Sequence, residues 1–408
     1  MTAWLHIIGF GEGDPLPPLP PADIILGPAR AIERLSRSTS PLAGEAGRGG
    51  AVTSKLEPWR SLKLDAMIAQ TLEHRGTPTI LLASGDPLWF GFGATLARHL
   101  SPDEFRVTPS PSSFQHAAAR LRWPLQHVAT ISVHGRPLEL VHPHITPGNR
   151  ILALTSDATT APHVARLLVE RGYGRSILTI LENLGGPSER IVSAEARGFA
   201  LDIGEFYVLA IDCAADPGAA LLSAVPGLPD EAFVSDGQLT KREVRAATLA
   251  KLAPYPGGLL WDVGAGCGSI GIEWMRAARD ARAIAFEREG ERLQMIAVNA
   301  ANLGVPTLRI ENGDAPDSLA GMPTPDAIFL GGAVADEPLF HTCWTALRSG
   351  GRLVANAVTL EGEQALYARQ SRLGGDLARL EISALDAIGA HRALRPRMPV
   401  TQWSVSKP

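Results

Sequence analysis

Leu259-Leu260-Trp261-Asp262-Val263-Gly264-Ala265-Gly266-Cys267-Gly268-Ser269 reads as a buried strand that stops at a glycine loop and restarts as a helix over 270–278. Three alternating glycines let the backbone turn sharply and come close to a ligand, where any Cβ would intrude. The helix that follows offers N–H groups without intrahelical partners at its start. A second strand, 282–286, ends in Glu287, roughly the 20-residue interval at which an acidic side chain grips a ribose. This half of the chain is expected to bind an adenosine-type cofactor.

Around that loop the second half alternates strand and helix. Helices are expected at 241–252, 290–303, 339–347 and 361–372, and further strands at 308–311, 326–330 and 352–357. Strands 380–385 and 400–405 close the chain with no clear helix between them. The alternation predicts a parallel sheet finished by an antiparallel pair. The first half opens with strand 3–8 and the turn Gly9-Phe10-Gly11-Glu12-Gly13-Asp14. A proline-rich run, 15–21, can be neither helix nor central strand. Residues 36–55 lack hydrophobic periodicity and are expected to be a disordered surface insertion. Strands 79–83 and 105–107 alternate with helices 88–99 and 113–121; strands 129–133 and 151–154 precede helix 160–171. Strands 177–181, 190–193 and 206–211 then follow with little helix between them, which predicts antiparallel pairing in a mixed sheet or two small lobes. An Ala/Gly/Pro-rich stretch suits a linker. The expected domains are therefore 1–212 and 228–408, joined by 213–227.

At 408 residues the chain is too long for one ordinary core. Hydrophobic content of 45% and charged content of 20% are those of a soluble globular protein. A formal net charge of -4 argues against a non-specific nucleic-acid binder. Cys213, Cys267 and Cys343 are odd in number and far apart, so neither a disulfide framework nor zinc spacing is implied. No basic n-region and no long apolar run is visible, and a cytoplasmic protein with no membrane partner is expected.

A glycine loop alone does not choose between a dinucleotide and S-adenosylmethionine (AdoMet). The spacing Gly264-x-Gly266-x-Gly268 lacks the further gap that the dinucleotide fingerprint needs. Glu311-Asn312-Gly313-Asp314-Ala315, after the third strand, could offer a polar side chain to an adenine edge, although a helix N-cap role for Asp314 stays open. The closing pair of strands matches the seven-stranded sheet of AdoMet methyltransferases. AdoMet is the expected cofactor.

The run Asp236-Gly237-Gln238-Leu239-Thr240-Lys241-Arg242-Glu243 stands upstream of the loop. With Phe329-Leu330-Gly331-Gly332-Ala333 and Pro399-Val400-Thr401-Gln402-Trp403, it resembles the C-terminal domain of the decarboxylating precorrin-6Y C5,15-methyltransferase family of corrin biosynthesis. Ala83-Ser84-Gly85-Asp86-Pro87 and Ser112-Ser113-Phe114-Gln115 are similar to the tetrapyrrole methylases. His134-Gly135-Arg136-Pro137-Leu138 and Glu182-Asn183-Leu184-Gly185 resemble the subgroup acting at carbon 5. The resemblance implies an α/β chain, with an N-terminal two-lobed tetrapyrrole methylase fold and a C-terminal seven-stranded Rossmann-like AdoMet methyltransferase fold. It implies two methyl transfers from AdoMet, at carbons 5 and 15 of precorrin-6B, and loss of the ring C acetate carboxylate to give precorrin-8X. The implied cofactor contacts are Thr240, Gly264, Ala265, Gly266, Cys267, Gly268, Glu287, Asp314 and Ala315 in the second half. In the first half they are Gly9, Ser84, Gly85, Asp86, Trp89, Ser112 and Ser113. Homo-oligomers occur among relatives of the second domain, and one is expected here.

Methyl transfer from a sulfonium to an electron-rich carbon depends on alignment and exclusion of water, so no catalytic triad is expected and no catalytic residue is assigned. The substrate's acetates and propionates call for cations. Arg136, Lys241, Arg242 and Arg395 are the candidates, with Arg245, Arg392 and Arg397 behind them; for each, a solvated surface charge is the plain alternative. His134, His142 and His144 lack a sensible third ligand, and no metal is expected. Cys267 has no paired base and is expected to fill space in the loop. An RNA or protein methyltransferase with an accessory domain would need a basic, aromatic-bearing surface, which this composition does not supply. A non-catalytic AdoMet sensor would leave two cofactor loops unexplained.

Overall fold

In the first half, Leu5 and Ile7 point to one side of a strand and Ile8 and Phe10 to the other, and all four are buried. Such a strand belongs inside a sheet covered on both faces. The computed structural model, which describes residues 3–11, 13, 15–37 and 54–408, places it there. The elements of this half are β1 (Leu5–Phe10), β2 (Ile24–Gly27), α1 (Ala29–Arg37), β3 (Lys55–Pro58), α2 (Leu64–Leu72), β4 (Thr79–Ser84), α3 (Phe92–Leu96) and β5 (Phe105–Thr108). They continue with α4 (Ser113–Leu121), β6 (Val128–Ser132), β7 (Arg150–Leu154), α5 (Thr160–Glu170), β8 (Ile177–Glu182), β9 (Arg190–Glu195) and β10 (Tyr207–Asp212). One sheet runs β3-β2-β4-β1-β5, all parallel. Ile8, Phe10, Ile80 and Leu82 face α1 on one side of it, while Leu5, Ile7, Leu81 and Ala83 pack with Ile68 and Leu96 on the other. The second sheet runs β6-β7-β10-β8-β9; β6 and β7 are parallel and the rest antiparallel. It is the mixed sheet that the closely spaced strands predict.

The second half contains α6 (Arg242–Leu252), β11 (Leu259–Val263), α7 (Ser269–Ala277), β12 (Arg282–Glu287), α8 (Gly290–Asn302), β13 (Arg309–Asn312), β14 (Ala327–Leu330) and α9 (Glu337–Ala346). Then come β15 (Arg352–Ala357), α10 (Leu360–Leu373), β16 (Asp376–Leu380), β17 (Ser383–Ile388), β18 (His391–Pro396) and β19 (Val400–Ser406). Seven strands form one sheet in the order β13-β12-β11-β14-β15-β19-β16. All pairs are parallel except those made by β19. Alternate residues again serve two cores. Leu260, Ala283, Ala285, Ala327 and Phe329 pack with α6, α7 and α8 residues, while Trp261, Ile284, Phe286, Ile328 and Leu330 pack on the α9 and α10 side.

Contacts divide the chain into two compact units. One comprises 1–136 and 147–219; the other comprises 137–146 and 220–408. The short 3-10 stretch Leu138–His144 thus counts with the second unit, with Val141 and Ile145 fully buried. Leu222, within the stretch expected as a linker, is buried in the second unit's core.

Several expected elements differ. The helix expected over 88–99 is confined to Phe92–Leu96, because the Asp86-Pro87 turn and a close approach of Gly91 and Gly93 to Pro87 hold the preceding residues irregular. The insertion expected at 36–55 lies outside the described residues except at its ends, where Ser36 and Arg37 finish α1 and Lys55 begins β3. The strand expected at 380–385 is two: β16 ends at Leu380, and β17 pairs with β18 as a separate hairpin set before β19.

Two arginines expected to meet substrate are structural. Arg245 is fully buried, with Nε donating to Glu273 Oε1 at 2.6 Å and Nη1 to Asp230 Oδ1 at 3.0 Å. Nη1 also donates to the Thr240 carbonyl at 2.5 Å and Nη2 to the Leu228 carbonyl, and Phe233 lies under the guanidinium at 4.8 Å. The Gly227 amide donates to Glu273 Oε2, and the Leu228 amide shares Oε1 with the guanidinium. Arg242 Nε donates to Gly227 O at 2.7 Å. Together they staple the entry segment 227–230 to α6 and α7. Replacing Glu273 by Gln should destabilise the second unit by about 3–5 kcal/mol, since it leaves Asp230 as the counter-charge of a buried guanidinium and turns an N–H against the amide of Gly227 or Leu228. Arg242→Ala should cost about 1 kcal/mol. Urea unfolding followed by near-ultraviolet dichroism measures both, and equal losses would refute the difference in role.

Candidate functional site

The glycine loop joins β11 to α7, and Gly264, Gly266 and Gly268 all have positive φ, +73°, +60° and +82°. A Cβ on Gly264 would lie 3.1 Å from the backbone nitrogen of Gly332, and one on Gly268 would lie 3.0 Å from Ile296. Both conformation and space therefore demand glycine. The loop amides, however, are not bare. Gly264 and Ala265 donate to Phe286 O at 3.0 and 3.1 Å, Gly266 to Glu287 Oε2 at 2.8 Å and Gly268 to Ala265 O at 2.9 Å. Gly271, in the first turn of α7, donates to Asp262 Oδ2 at 2.8 Å. A pyrophosphate binds through unpaired amides at such a loop. Here the amides of Gly264, Ala265, Gly266 and Gly268 are bonded within the unit, and the loop offers a close backbone surface.

Glu287 is buried, and its Oε1 accepts from the amides of Arg288 and Glu289 at 3.0 and 3.2 Å. The carboxylate is held by backbone at the end of β12, directly beside the loop. Asn299 of α8 ties the loop to the upstream run: its Nδ2 donates to Cys267 O and Val234 O, each at 2.9 Å, and its Oδ1 accepts from Val234 N at 2.8 Å. Arg292 completes the frame by donating to Asp236 at 2.9 Å and Gln238 at 3.0 Å.

These elements enclose a cavity of about 1040 Å³. Of the expected cofactor residues, Thr240, Gly264, Ala265, Gly266, Glu287, Asp314 and Ala315 line it. Cys267 and Gly268 do not. The Cys267 side chain is packed in the core below the loop, and burial pushes its thiol pKa up, as suits a space filler. Asp314 is exposed at the rim, 3.4 Å from Arg288 Nη1. Lys241 and Arg395 line the cavity, and so does Arg397, but Arg242 and Arg245 do not. Arg395 is already paired with Asp386 at 2.9 Å. The far wall is the β17–β18 hairpin with the strand that follows, including Ile382, Leu385, Met398 and Val400, and Asn356 lines the cavity from β15. Sequence reasoning missed this wall, because its alternation is weak and its apolar residues are exposed. Ala333, which follows Gly331 and Gly332, adopts φ +48°.

In the first unit the expected residues gather at the ends of β1 and β4 and the start of α4. A Cβ on Gly9 would lie 2.5 Å from Gly85 O and 2.9 Å from Ser110 N, so the loops pack backbone on backbone. Gly85 donates to Phe10 O at 2.8 Å. Ser84 Oγ accepts from Arg30 at 2.8 Å. Ser112 caps α4 in a capping box with Gln115, and Ser113 is the helix's first residue. Asp86 Oδ1 accepts from the amides of Leu88 and Trp89 at 2.8 and 3.2 Å, so the carboxylate shapes its own turn. Trp89 and Phe90 are exposed against Phe114, and the Arg136 guanidinium lies 5.9 Å from the Phe90 ring. His134 bonds Thr155 O at 3.0 Å. Among the described residues no group of three side chains could hold a metal ion, and no helix is long and apolar enough to cross a membrane.

A glycine loop after the first strand of a β13-β12-β11-β14-β15-β19-β16 sheet, with an acid closing the second strand, defines the second unit as a methyltransferase domain. The comparisons agree for both halves. The family described as Tetrapyrrole (Corrin/Porphyrin) Methylases matches residues 19–199, and that described as Precorrin methyltransferase domain matches 231–407. A precorrin-6Y C(5,15)-methyltransferase (decarboxylating) of Sinorhizobium sp is 46% identical over 100% of this chain and 97% of its own length. A cobalt-precorrin-6B C(15)-methyltransferase (decarboxylating) of Salmonella typhimurium is 31% identical over 42% of this chain and 92% of its own. The crystallised C-terminal domain of precorrin-6Y C5,15-methyltransferase from Rhodobacter capsulatus is 43% identical, covering 46% of this chain and all of that one, with a TM-score of 0.44. The chain belongs to the precorrin-6Y C(5,15)-methyltransferase (decarboxylating) family.

Burial pushes the Asp262 carboxyl up to about 7, against the hydrogen bond from Gly271 and aided by the charge of Glu287. The folded chain therefore keeps a proton that the unfolded chain releases near pH 4. This group's contribution to stability falls as pH rises from about 4 to about 7 and is level above that. Asp262→Asn removes the slope, so the variant's melting temperature should gain on the parent's across that window. A difference that stays constant from about pH 4.5 to about pH 7.5 would refute it.

Proposed function

We propose that the chain methylates carbons 5 and 15 of precorrin-6B with two AdoMet and decarboxylates the ring C acetate, giving precorrin-8X. The carrying observation is the full-length match to a decarboxylating C(5,15)-methyltransferase, together with a cavity that puts the glycine loop and a cation-bearing apolar wall in one space. The carbon 15 methylation and the decarboxylation are assigned to the second unit. Support comes from the Salmonella relative, a C(15)-methyltransferase (decarboxylating) matching less than half of this chain. The first unit is assigned carbon 5.

AdoMet supplies the methyl group as an electrophile. Glu287 would take the ribose hydroxyls, the loop at Gly264–Gly266 would meet the flat backbone side of the cofactor, and Ala315 would flank the adenine. In the first unit the paired loops at Gly9, Gly85 and Ser112 would do the corresponding work. Lys241 and Arg397 would hold substrate carboxylates, while Arg395 stays with Asp386 unless a stronger acid displaces it. The apolar lining, including Val244, Phe329 and Leu339, excludes water, which strengthens each of these contacts. As the acetate C–C bond breaks to release carbon dioxide, its electron pair can pass through the conjugated ring to carbon 15 and form the bond to the incoming methyl. The protein's task is alignment rather than proton abstraction.

Calorimetric titration should find two AdoMet per chain. Glu287→Ala should weaken one site by about tenfold or more, and Gly9→Val should abolish the other. With labelled AdoMet and precorrin-6B, Glu287→Ala should lose carbon dioxide release and one methyl, whereas Gly9→Val should lose the other methyl alone. Carbon dioxide release that follows Gly9 rather than Glu287 would overturn the assignment of units.

A further inference from the structure

Gln402 belongs to a run that carries the family resemblance, yet it neither lines the cavity nor touches the glycine loop. It sits in β19 directly opposite Asn356 of β15, with only 3% of its surface exposed. Its Nε2 donates both to Asn356 Oδ1 and to Thr248 Oγ1 of α6, each at 3.0 Å. Asn356 Nδ2 donates to the same Thr248 oxygen at 2.9 Å. Thr248 is fully buried and its hydroxyl donates to Val244 O at 2.8 Å.

The donor count fixes every orientation. The single Thr248 proton is spent on the Val244 carbonyl, so its oxygen can only accept, and both amides must turn their N–H groups toward it. Neither amide can flip without leaving a buried donor or acceptor unpaired, at about 1–3 kcal/mol each. Thr248 and Gln402 are buried and Asn356 is half-buried, on the face of the sheet whose core holds Leu249 and Val354. Hydrogen bonds among three side chains from three elements hold one another's orientation. Asn356 is its one member that lines the cavity, and it retains one N–H and one acceptor lone pair.

We propose that Asn356 orients the carboxylate that leaves as carbon dioxide, by donating its remaining N–H to it, and that Thr248 and Gln402 are the positioning residues that aim that N–H. This rests on the proposed function and assigns the departing carboxylate a different partner from the retained ones. A cation over the departing group would stabilise the ground state and oppose its loss, since only interactions stronger in the transition state accelerate a step. A neutral amide fixes the direction of the breaking bond without that penalty. Nearby stretches of chain suit a group that becomes neutral: Val358, two residues after Asn356, and Val400, two before Gln402, both line the cavity. The cations Lys241 and Arg397 are left for the carboxylates that stay.

The test uses the full chain with precorrin-6B and labelled AdoMet, reading carbon dioxide release and each methyl transfer separately. Asn356→Ala, Thr248→Val and Gln402→Leu should each lower kcat for carbon dioxide release by roughly tenfold or more, with first-site methylation and AdoMet affinity within about twofold of the parent. Thr248→Ser keeps the hydroxyl and should stay within about threefold of the parent. Asn356→Asp, which sets a like charge against the carboxylate, should raise KM as well as lower kcat. If Thr248→Val does not fold, the two Asn356 variants at the cavity wall decide the matter. An Asn356→Ala enzyme that releases carbon dioxide at the parent rate overturns the assignment, as does a loss that tracks AdoMet affinity in every variant. A parent chain that releases none overturns the proposed function itself.

Discussion

The second unit is organised around the contact between the Glu287 carboxylate and the amide of Gly266, 2.8 Å apart. That bond joins the end of β12 to the crest of the glycine loop and holds the loop against β11. Because Gly264 and Ala265 also donate to Phe286 O, the loop is a continuation of the sheet's own hydrogen bonding. The loop's left-handed residues are the cost of that shape, and only glycine meets it cheaply. Asp262 below and Asn299 beside it then anchor α7 and the upstream run to the same point.

A second theme is that buried polar groups here hold segments in place. Arg245 and Glu273 pin the entry segment, Asn299 pins 234 to 267, and the Thr248–Gln402 pair holds Asn356. In each case a charged or polar side chain is hydrogen-bonded to more than one segment, because leaving it unpaired costs more than a hydrogen bond gains. The cavity is left with chemical variety on its walls: a backbone surface at one end, a carboxylate beside it, and an apolar hairpin carrying cations opposite.

The first unit reaches a comparable result by other means. Gly9 and Gly85 bring two strand ends into backbone contact, Ser112 caps the helix that meets them, and Asp86 closes its own turn. Exposed aromatic rings at Trp89 and Phe90 stand against Phe114, and the Arg136 guanidinium lies 5.9 Å from the Phe90 ring.

Much of this was legible in the residues alone. Strand and helix follow local periodicity, so the alternation, the parallel sheet and its antiparallel finish could be read directly, as could the glycine loop and the acid at its interval. What sequence could not separate was one arginine from another: Arg242, Arg245, Arg395 and Arg397 look alike as letters, and only their neighbours make two of them staples and two of them cavity walls. The β17–β18 hairpin carries no clear pattern, because its apolar side chains face the cavity and solvent instead of a core. Asn356, Thr248 and Gln402 are separated by 108, 46 and 154 residues in their pairings. Local sequence therefore determined the elements and the cofactor loop. Tertiary structure decided which polar groups are spent on holding the fold and which remain to meet a substrate, because hydrogen-bond satisfaction depends on partners that only folding brings together.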